Sequence, residues 1–291
     1  MRKMSRYATI VLSCSVLILR VDSSQAAVLY STSFESPEFG AGPLDGVGTW
    51  TASLSTTVQQ VVSSPQTVGA DSVDAFQGQA MVRSSPTFGN HNVGPNVGAL
   101  WSGRPGGQNV LKASIRIYRP ASDVNEFGRH GLWVYGPGGT TTIAAIFYRP
   151  SDGRLTLRRP TAPPGEQFEV SPGTVVPASS WSEFAIFADF NSNQSTFQFN
   201  GQTVFQSNFA ATSVGFADLY SSLGSADFGG SISFTDNYAI ESLSVVPEPV
   251  ALAGLAMVGV ALLARVKRRS CDARGVHSLI DGVERLHSTG S

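Results

Sequence analysis

The sequence predicts an all-β protein: an antiparallel β-sandwich (jelly roll), with an N-terminal signal helix and a C-terminal transmembrane helix. Three observations predict the sandwich. Charged residues are only 14% of 291, while Gly and Pro number 30 and 16. That mixture suits short strands joined by many turns rather than long helices. Between Val28 and Val246 no segment shows helical recurrence of apolar residues, whereas period-two alternation recurs. Hairpin signals such as Asp152-Gly153 and Asn200-Gly201 separate the alternating runs.

Four segments follow from this: a signal peptide over 1–26, the sandwich over 27–245, a sorting segment over 246–269 and a cytosolic tail over 270–291. Met1 to Arg6 carries Arg2, Lys3 and Arg6, Ala8 to Leu19 is largely apolar, and Ser24-Gln25-Ala26 supplies small residues for a cut after Ala26 or Ala27. The apolar run is about 12 residues, short of the ~20 that a spanning helix needs.

The body opens with a strand over Ala27 to Phe34, followed by a Gly-rich loop and a short strand at Trp50. Thr57 to Val62 and Ala80 to Arg83 are further strands. Pro86 to Gln108 holds six glycines with His91 and Trp101 and reads as a long surface loop. Asn109 to Tyr118 is the clearest strand: Leu111, Ala113, Ile115 and Ile117 share one face, Lys112, Ser114, Arg116 and Tyr118 the other. Gly131 to Tyr135 and Thr141 to Tyr148 flank the turn Gly136-Pro137-Gly138-Gly139, and Leu155 to Arg158 follows. Trp181 to Asp189, Thr196 to Phe199 and Thr203 to Phe205 form a linked set closed by turns at Asn191-Ser192-Asn193 and Asn200-Gly201. Ile232 to Leu243 is the last strand.

The run Trp181-Ser182-Glu183-Phe184, Ala188-Asp189 and Thr196-Phe197-Gln198-Phe199-Asn200-Gly201 resembles that of concanavalin-like (laminin-G-like) jelly rolls. Phe34-Glu35-Ser36-Pro37 and Phe234-Thr235-Asp236-Asn237-Tyr238-Ala239-Ile240 resemble their first and last strands. The resemblance implies a fold and leaves the ligand open.

Composition excludes several chemistries. The body from 28 to 246 holds ten Lys/Arg against sixteen Asp/Glu, near −6, which argues against nucleic acid as a partner. Both cysteines, Cys14 and Cys271, lie outside it, so the body is neither a disulfide scaffold nor a thiol enzyme. It has no G-x-S-x-G elbow, no HExxH pair, no phosphate-binding glycine loop and no E-x-D-x-x-E cluster of the kind carried by glycosidases of this fold class. Its only histidines are His91 and His130, and Glu166 and Glu169 sit in a Pro-Gly loop.

Two binding expectations remain. Glu35 and Asp236, on first and last strands that are neighbours in many carbohydrate-binding jelly rolls, would suit a structural Ca²⁺; alternatively they are a solvated strand-end charge and a turn residue. Trp133, Tyr135 and Tyr148, with Trp101 on the long loop, would stack on sugar rings if they share an exposed face. The other reading is that these rings fill the core. Alternation does not separate the two, because Leu132 and Val134 make the opposite face apolar too.

The end of the chain is organised differently. Pro247-Glu248-Pro249 interrupts regular structure. Val250 to Ala264 is a 15-residue apolar run, about 22 Å long as a helix and short for a permanent span. Arg265, Lys267, Arg268 and Arg269 mark a cytoplasmic membrane stop. The tripartite order resembles the PEP-CTERM sorting signal of Gram-negative bacteria. The resemblance implies export, an inner-membrane intermediate, cleavage near Pro247-Glu248-Pro249 by an exosortase-type partner enzyme, and delivery to the cell surface or extracellular polysaccharide. Residues 270–291 extend past the basic cluster where such signals normally end.

The sequence therefore predicts an exported, non-catalytic surface or exopolysaccharide-matrix protein that contacts glycans. The competing expectations are a polysaccharide-acting hydrolase of jelly-roll type and a permanently anchored structural surface protein.

Overall fold

The computed structural model describes residues 26–52, 58–160, 166–169, 174–224 and 230–247. The predicted signal peptide, apart from Ala26, and the sorting residues Glu248, Pro249, Arg265, Lys267, Arg268 and Arg269 lie outside these, as does the tail. Among the described residues no helix is long and apolar enough to cross a membrane.

In chain order the strands are β1 (Ala27–Thr32), β2 (Gly42–Pro43), β3 (Trp50–Ala52), β4 (Gln59–Ser63), β5 (Gln66–Val68), β6 (Asp71–Val73), β7 (Ala80–Ser84) and β8 (Gly89–Pro95). After the helix α1 (Val97–Ser102) come β9 (Val110–Arg119), β10 (Gly128–Tyr135), β11 (Thr142–Tyr148), β12 (Leu155–Arg159) and β13 (Glu166–Glu169). The chain closes with β14 (Ser180–Asp189), β15 (Gln194–Phe199), β16 (Gln202–Asn208), β17 (Phe216–Leu223) and β18 (Ser233–Leu243).

All but β5 and β6, which pair with each other as a separate antiparallel hairpin, form a β-sandwich of two antiparallel sheets. The first runs β16-β15-β14-β9-β18-β7-β4-β2, with β1 also paired to β18; the second runs β13-β12-β11-β10-β17-β8-β3. The predicted alternation places the core between them. Leu111, Ala113, Ile115 and Ile117 of β9 and Phe184, Ile186 and Ala188 of β14 meet Leu132, Val134, Ile146, Leu157 and Leu219 of the second sheet. At one end of this core Trp50 packs edge-on against Phe34 and Tyr238, at 5.5 and 5.0 Å between ring centroids.

Local signals act as expected in two places. Asn200 (φ +47°) and Gly201 (φ +75°) form the turn that joins β15 to β16, both in the left-handed region that a type I′ hairpin needs. β1 and β18, the first and last strands, are neighbours. β18 carries an irregularity between Asp236 and Ala239 with Asn237 at φ +51°, a bulge that re-aims the side chains around it.

The stretch 86–108, expected to be a surface loop, is instead largely structural. β8 lies between β17 and β3, and α1 turns Val97 and Trp101, four residues apart, into the core. β8 has the sequence Gly-Asn-His-Asn-Val-Gly-Pro, with one β-branched residue, so propensity hides it. Neighbouring strands supply the missing drive. A Cβ on Gly94 would stand 2.3 Å from Asp218 Oδ1, so glycine is what lets β8 approach β17. β17, for which the sequence carries no clear signal, pairs with β10 along eight residues, from Gly128↔Leu223 to Tyr135↔Phe216.

Candidate functional site

Register divides the four aromatic residues expected at a glycan face. Trp133 and Tyr135 lie opposite Asp218 and Phe216 and share the outer face of the second sheet. Their rings stack at 5.0 Å and 9°. Tyr220 meets Trp133 edge-on at 4.9 Å, and Phe147 lies 5.3 Å from Tyr220. Tyr148 lies opposite His130, on the same face as Leu132 and Val134, and is fully buried in the core beside Phe184. Trp101 is not on an exposed loop: α1 buries it against Phe190, with the Arg104 guanidinium 4.1 Å above its ring. Tyr148 and Trp101 are therefore corrected to core residues.

The Trp133 face is itself closed. Trp133 is 5% exposed, Tyr135 9% and Tyr220 5%. The Arg158 guanidinium sits 4.6 Å over the Trp133 ring, an arrangement worth ~0.5–2 kcal/mol. Asn92 Nδ2 donates to the Tyr135 hydroxyl at 2.6 Å, and the Tyr220 hydroxyl donates to Asn90 Oδ1 at 2.9 Å. Among these rings lies Asp218, whose Oδ1 has no protein hydrogen-bond partner. Burial pushes its carboxyl up to about 7, since desolvation penalises the charged form.

Glu35 and Asp236 do come together around one loop. Glu35 Oε1 accepts from the backbone N–H groups of Gln79 and Ala80, both at 2.8 Å, and Asp236 Oδ2 from that of Gln77 at 2.8 Å. Asp236 Oδ1 accepts from Asn237 N–H. Burial raises the Asp236 carboxyl to about 6, and Glu35 contributes in the same direction. Among the described residues no group of three or more His, Cys, Asp or Glu side chains gathers as a metal set. Ca²⁺ takes 6–8 oxygens, and these two carboxylates already hold the backbone of residues 77–80. The arrangement fits a latch on that loop better than an ion site.

A Ser, a His and an Asp also meet. Ser231 Oγ donates to Asp123 Oδ2 at 2.6 Å and lies 2.7 Å from His130 Nε2. Asp123 further accepts from Ile232 N–H at 2.7 Å and Asn125 N–H at 3.1 Å. In a nucleophilic triad the imidazole lies between serine and carboxylate; here the serine lies between the other two. Ser231 and His130 are fully buried, and His130 Nδ1 has no partner. Burial lowers the imidazole to about 3, which keeps it neutral.

The outer face of the first sheet is different again. Lys112 pairs with Glu241 at 2.9 Å and Arg116 with Glu183 at 2.6 Å. Such pairs, with about a quarter of each side chain exposed, contribute little to stability.

No family model matches the chain, and no curated protein matches it. Solved structures do. A carbohydrate esterase of a Shiga toxin-encoding bacteriophage matches with a TM-score of 0.46 at 18% identity, over 75% of this chain and 99% of its own. A structure of botulinum neurotoxin type C, whose cell uptake depends on two ganglioside molecules, matches with a TM-score of 0.44 at 9% identity, over 81% of this chain and 51% of its own. A sialidase matches with a TM-score of 0.42 at 10% identity, over 66% of this chain and 17% of its own. The chain thus spans about half of the toxin structure and a smaller part of the sialidase.

Proposed function

We propose that this chain is an exported, non-catalytic jelly-roll protein, sorted through its C-terminal segment to the cell surface or exopolysaccharide matrix, where it contacts glycans. One observation carries the reading. The ordered series Pro247-Glu248-Pro249, apolar run and Arg265/Lys267/Arg268/Arg269 begins where the compact sandwich unit ends, at Pro247. Among the described residues every strand is complete by Leu243, so a cut near the Pro-Glu-Pro step would leave both sheets whole. At the other end β1 starts at Ala27, at the expected signal-peptide cut after Ala26 or Ala27.

Non-catalysis is supported by the wiring of the Asp123–Ser231–His130 node. Its serine is inaccessible and its proton is directed to the carboxylate rather than to the imidazole. The proposal is tested by mass spectrometry of the protein released from the cell surface. A C-terminus near Pro249 is expected; intact protein ending at Ser291 and retained in the membrane would overturn the sorting reading in favour of a permanent anchor.

A further inference from the structure

The outer face of the first sheet changes character along β9. At one end Tyr118 packs with Phe234 and Met81, and Trp181 lies against them. At the other end Val110 packs with Ala185, Phe187 and Leu243. Between these apolar ends Lys112, Ser114, Arg116, Glu183, Asn237 and Glu241 line a groove of about 260 Å³. We propose that this groove binds a neutral sugar unit of a glycan chain, with the sugar hydroxyls held between two ion pairs. The proposal rests on the glycan-contacting reading above and gives it a site.

Register explains the shape. Lys112 lies opposite Glu241 on β18, and Arg116 opposite Glu183 on β14. Each long side chain is therefore tied across strands to an opposite charge, at 2.9 and 2.6 Å, and the two pairs form the walls. Ser114, midway between them on β9, lies opposite Ala185 on one side and Ala239 on the other. Three short side chains in a row leave a floor lower than the walls. The β18 bulge adds Asn237, at φ +51°, beside Asp236, whose carboxylate is engaged with the N–H of Gln77.

The lining also has polar capacity that the fold does not use. Ser114 is 7% exposed and lines the groove, yet its hydroxyl has no hydrogen-bond partner among the described residues. The side-chain amide of Asn237 is likewise without a partner among them. Lys112 Nζ carries three N–H bonds and directs one to Glu241. A ligand hydroxyl would complete these bonds. The ion pairs hold the walls before a ligand arrives, which lowers the ordering cost of binding.

The chemistry of the lining selects the ligand. Lys112 and Arg116 balance Glu183 and Glu241, so the groove gives uronates or amino sugars no net attraction. Sugar hydroxyls both donate and accept, which matches ammonium and guanidinium donors set beside carboxylate acceptors. Hydrogen bonds to charged groups are the stronger kind. The volume is below the ~300 Å³ at which drug-sized sites begin, which suits one sugar ring.

The test uses the purified full-length protein in a detergent without a sugar headgroup. It is applied to an array of neutral glucan, mannan and galactan oligosaccharides alongside oligouronates and chitosan oligomers, and the best binder is titrated calorimetrically. A neutral oligosaccharide is expected to bind best. Ser114→Leu, which raises the floor, should lower its affinity about tenfold or more, and Asn237→Gly, which keeps the positive φ and removes the amide, about threefold. Phe88→Ala, at an exposed ring outside the groove, should leave it unchanged. Melting curves establish that each variant is folded. If Ser114→Leu does not fold, Ser114→Ala takes its place, with an expected loss of about threefold. No binding on the array, a preference for oligouronates or chitosan, or affinities of the Ser114 and Asn237 variants within about twofold of wild type would overturn the proposal. Failure here is separable from failure of the broader reading. Glycan binding that ignores the groove variants sinks only the groove. Protein processed at the Pro-Glu-Pro step that binds no glycan sinks the glycan contact and leaves the sorting.

Discussion

The outer face of the second sheet and the cleft lined by Val68, residues 122–127, Gly230 and Ile232 both set aromatic rings beside carboxylates, yet they differ in how far those rings are covered. On the sheet, Trp133 is 5% exposed and Tyr135 9%, and each ring has ring or guanidinium neighbours. At the cleft, Phe127 is 42% exposed. The carboxylates differ in the same sense. Asp218 is buried with an unpartnered oxygen, whereas Asp123 accepts three hydrogen bonds and Glu126 is exposed. Residue type alone therefore does not separate a ring closed inside the sheet face from one at the surface. Register and the fate of each polar atom do.

The largest expected effect breaks or sustains that contrast directly. Trp133→Ala should cost ~3–5 kcal/mol, as for a buried aromatic truncation, while Phe127→Ala should stay within about 1 kcal/mol. Denaturant unfolding of the two variants would reverse the comparison if Phe127 proved the costlier.

Asp218 sharpens it through pH. Its folded carboxyl, at about 7, lies above the unfolded value, so the folded state holds the proton longer. Its contribution to stability is fully present below about pH 4 and lost as pH rises through 7, a swing of up to about 4 kcal/mol. Asp236, raised to about 6, acts in the same direction, and His130, lowered to about 3, in the opposite one. Both are common to wild type and variant. Asp218→Asn should thus gain stability over wild type between pH 4 and pH 8, in unfolding curves at the two pH values; a constant difference would contradict the buried-acid assignment.

The cleft wall gives a smaller effect. Asp123→Asn replaces a carboxylate that accepts from Ser231, Ile232 and Asn125 and should cost ~1–3 kcal/mol, with faster amide exchange at Ile232 and Asn125. Unchanged exchange would mean that the walls do not depend on this node. The smallest effect concerns Glu35. Glu35→Gln should cost ~1 kcal/mol by weakening the bonds to Gln79 and Ala80, and the melting temperature of wild type should not respond to chelator. A clear fall with chelator, restored by Ca²⁺, would return Glu35 and Asp236 to the ion-site role.

Much of the architecture is legible along the chain because it depends on local spacing. The β9 alternation from Leu111 to Ile117 declares its buried face, and Asn200-Gly201 declares its hairpin. Strand β8 and helix α1 are not legible, because their stability comes from β17, β3 and the core rather than from their own residues. The same limit applies to the sites. Trp133 and Tyr148 look equivalent as aromatic strand residues. The cleft has no motif: its lining comes from Val68, the 122–127 loop and Gly230 to Ile232, positions whose proximity depends on two long-range bonds to Asp123.

By itself the sequence determined the sandwich class, the acidic, cysteine-free body and the Pro247-Glu248-Pro249 order from which sorting is proposed, because composition, period-two alternation and adjacent motifs are properties of neighbouring residues. Only the tertiary structure decided that Trp101 and Tyr148 belong to the core, that Trp133 lies under Arg158, and that Asp123 closes a cleft beside Phe127. Those outcomes depend on cross-strand register and on contacts between residues from 25 to more than a hundred positions apart, which no local pattern encodes.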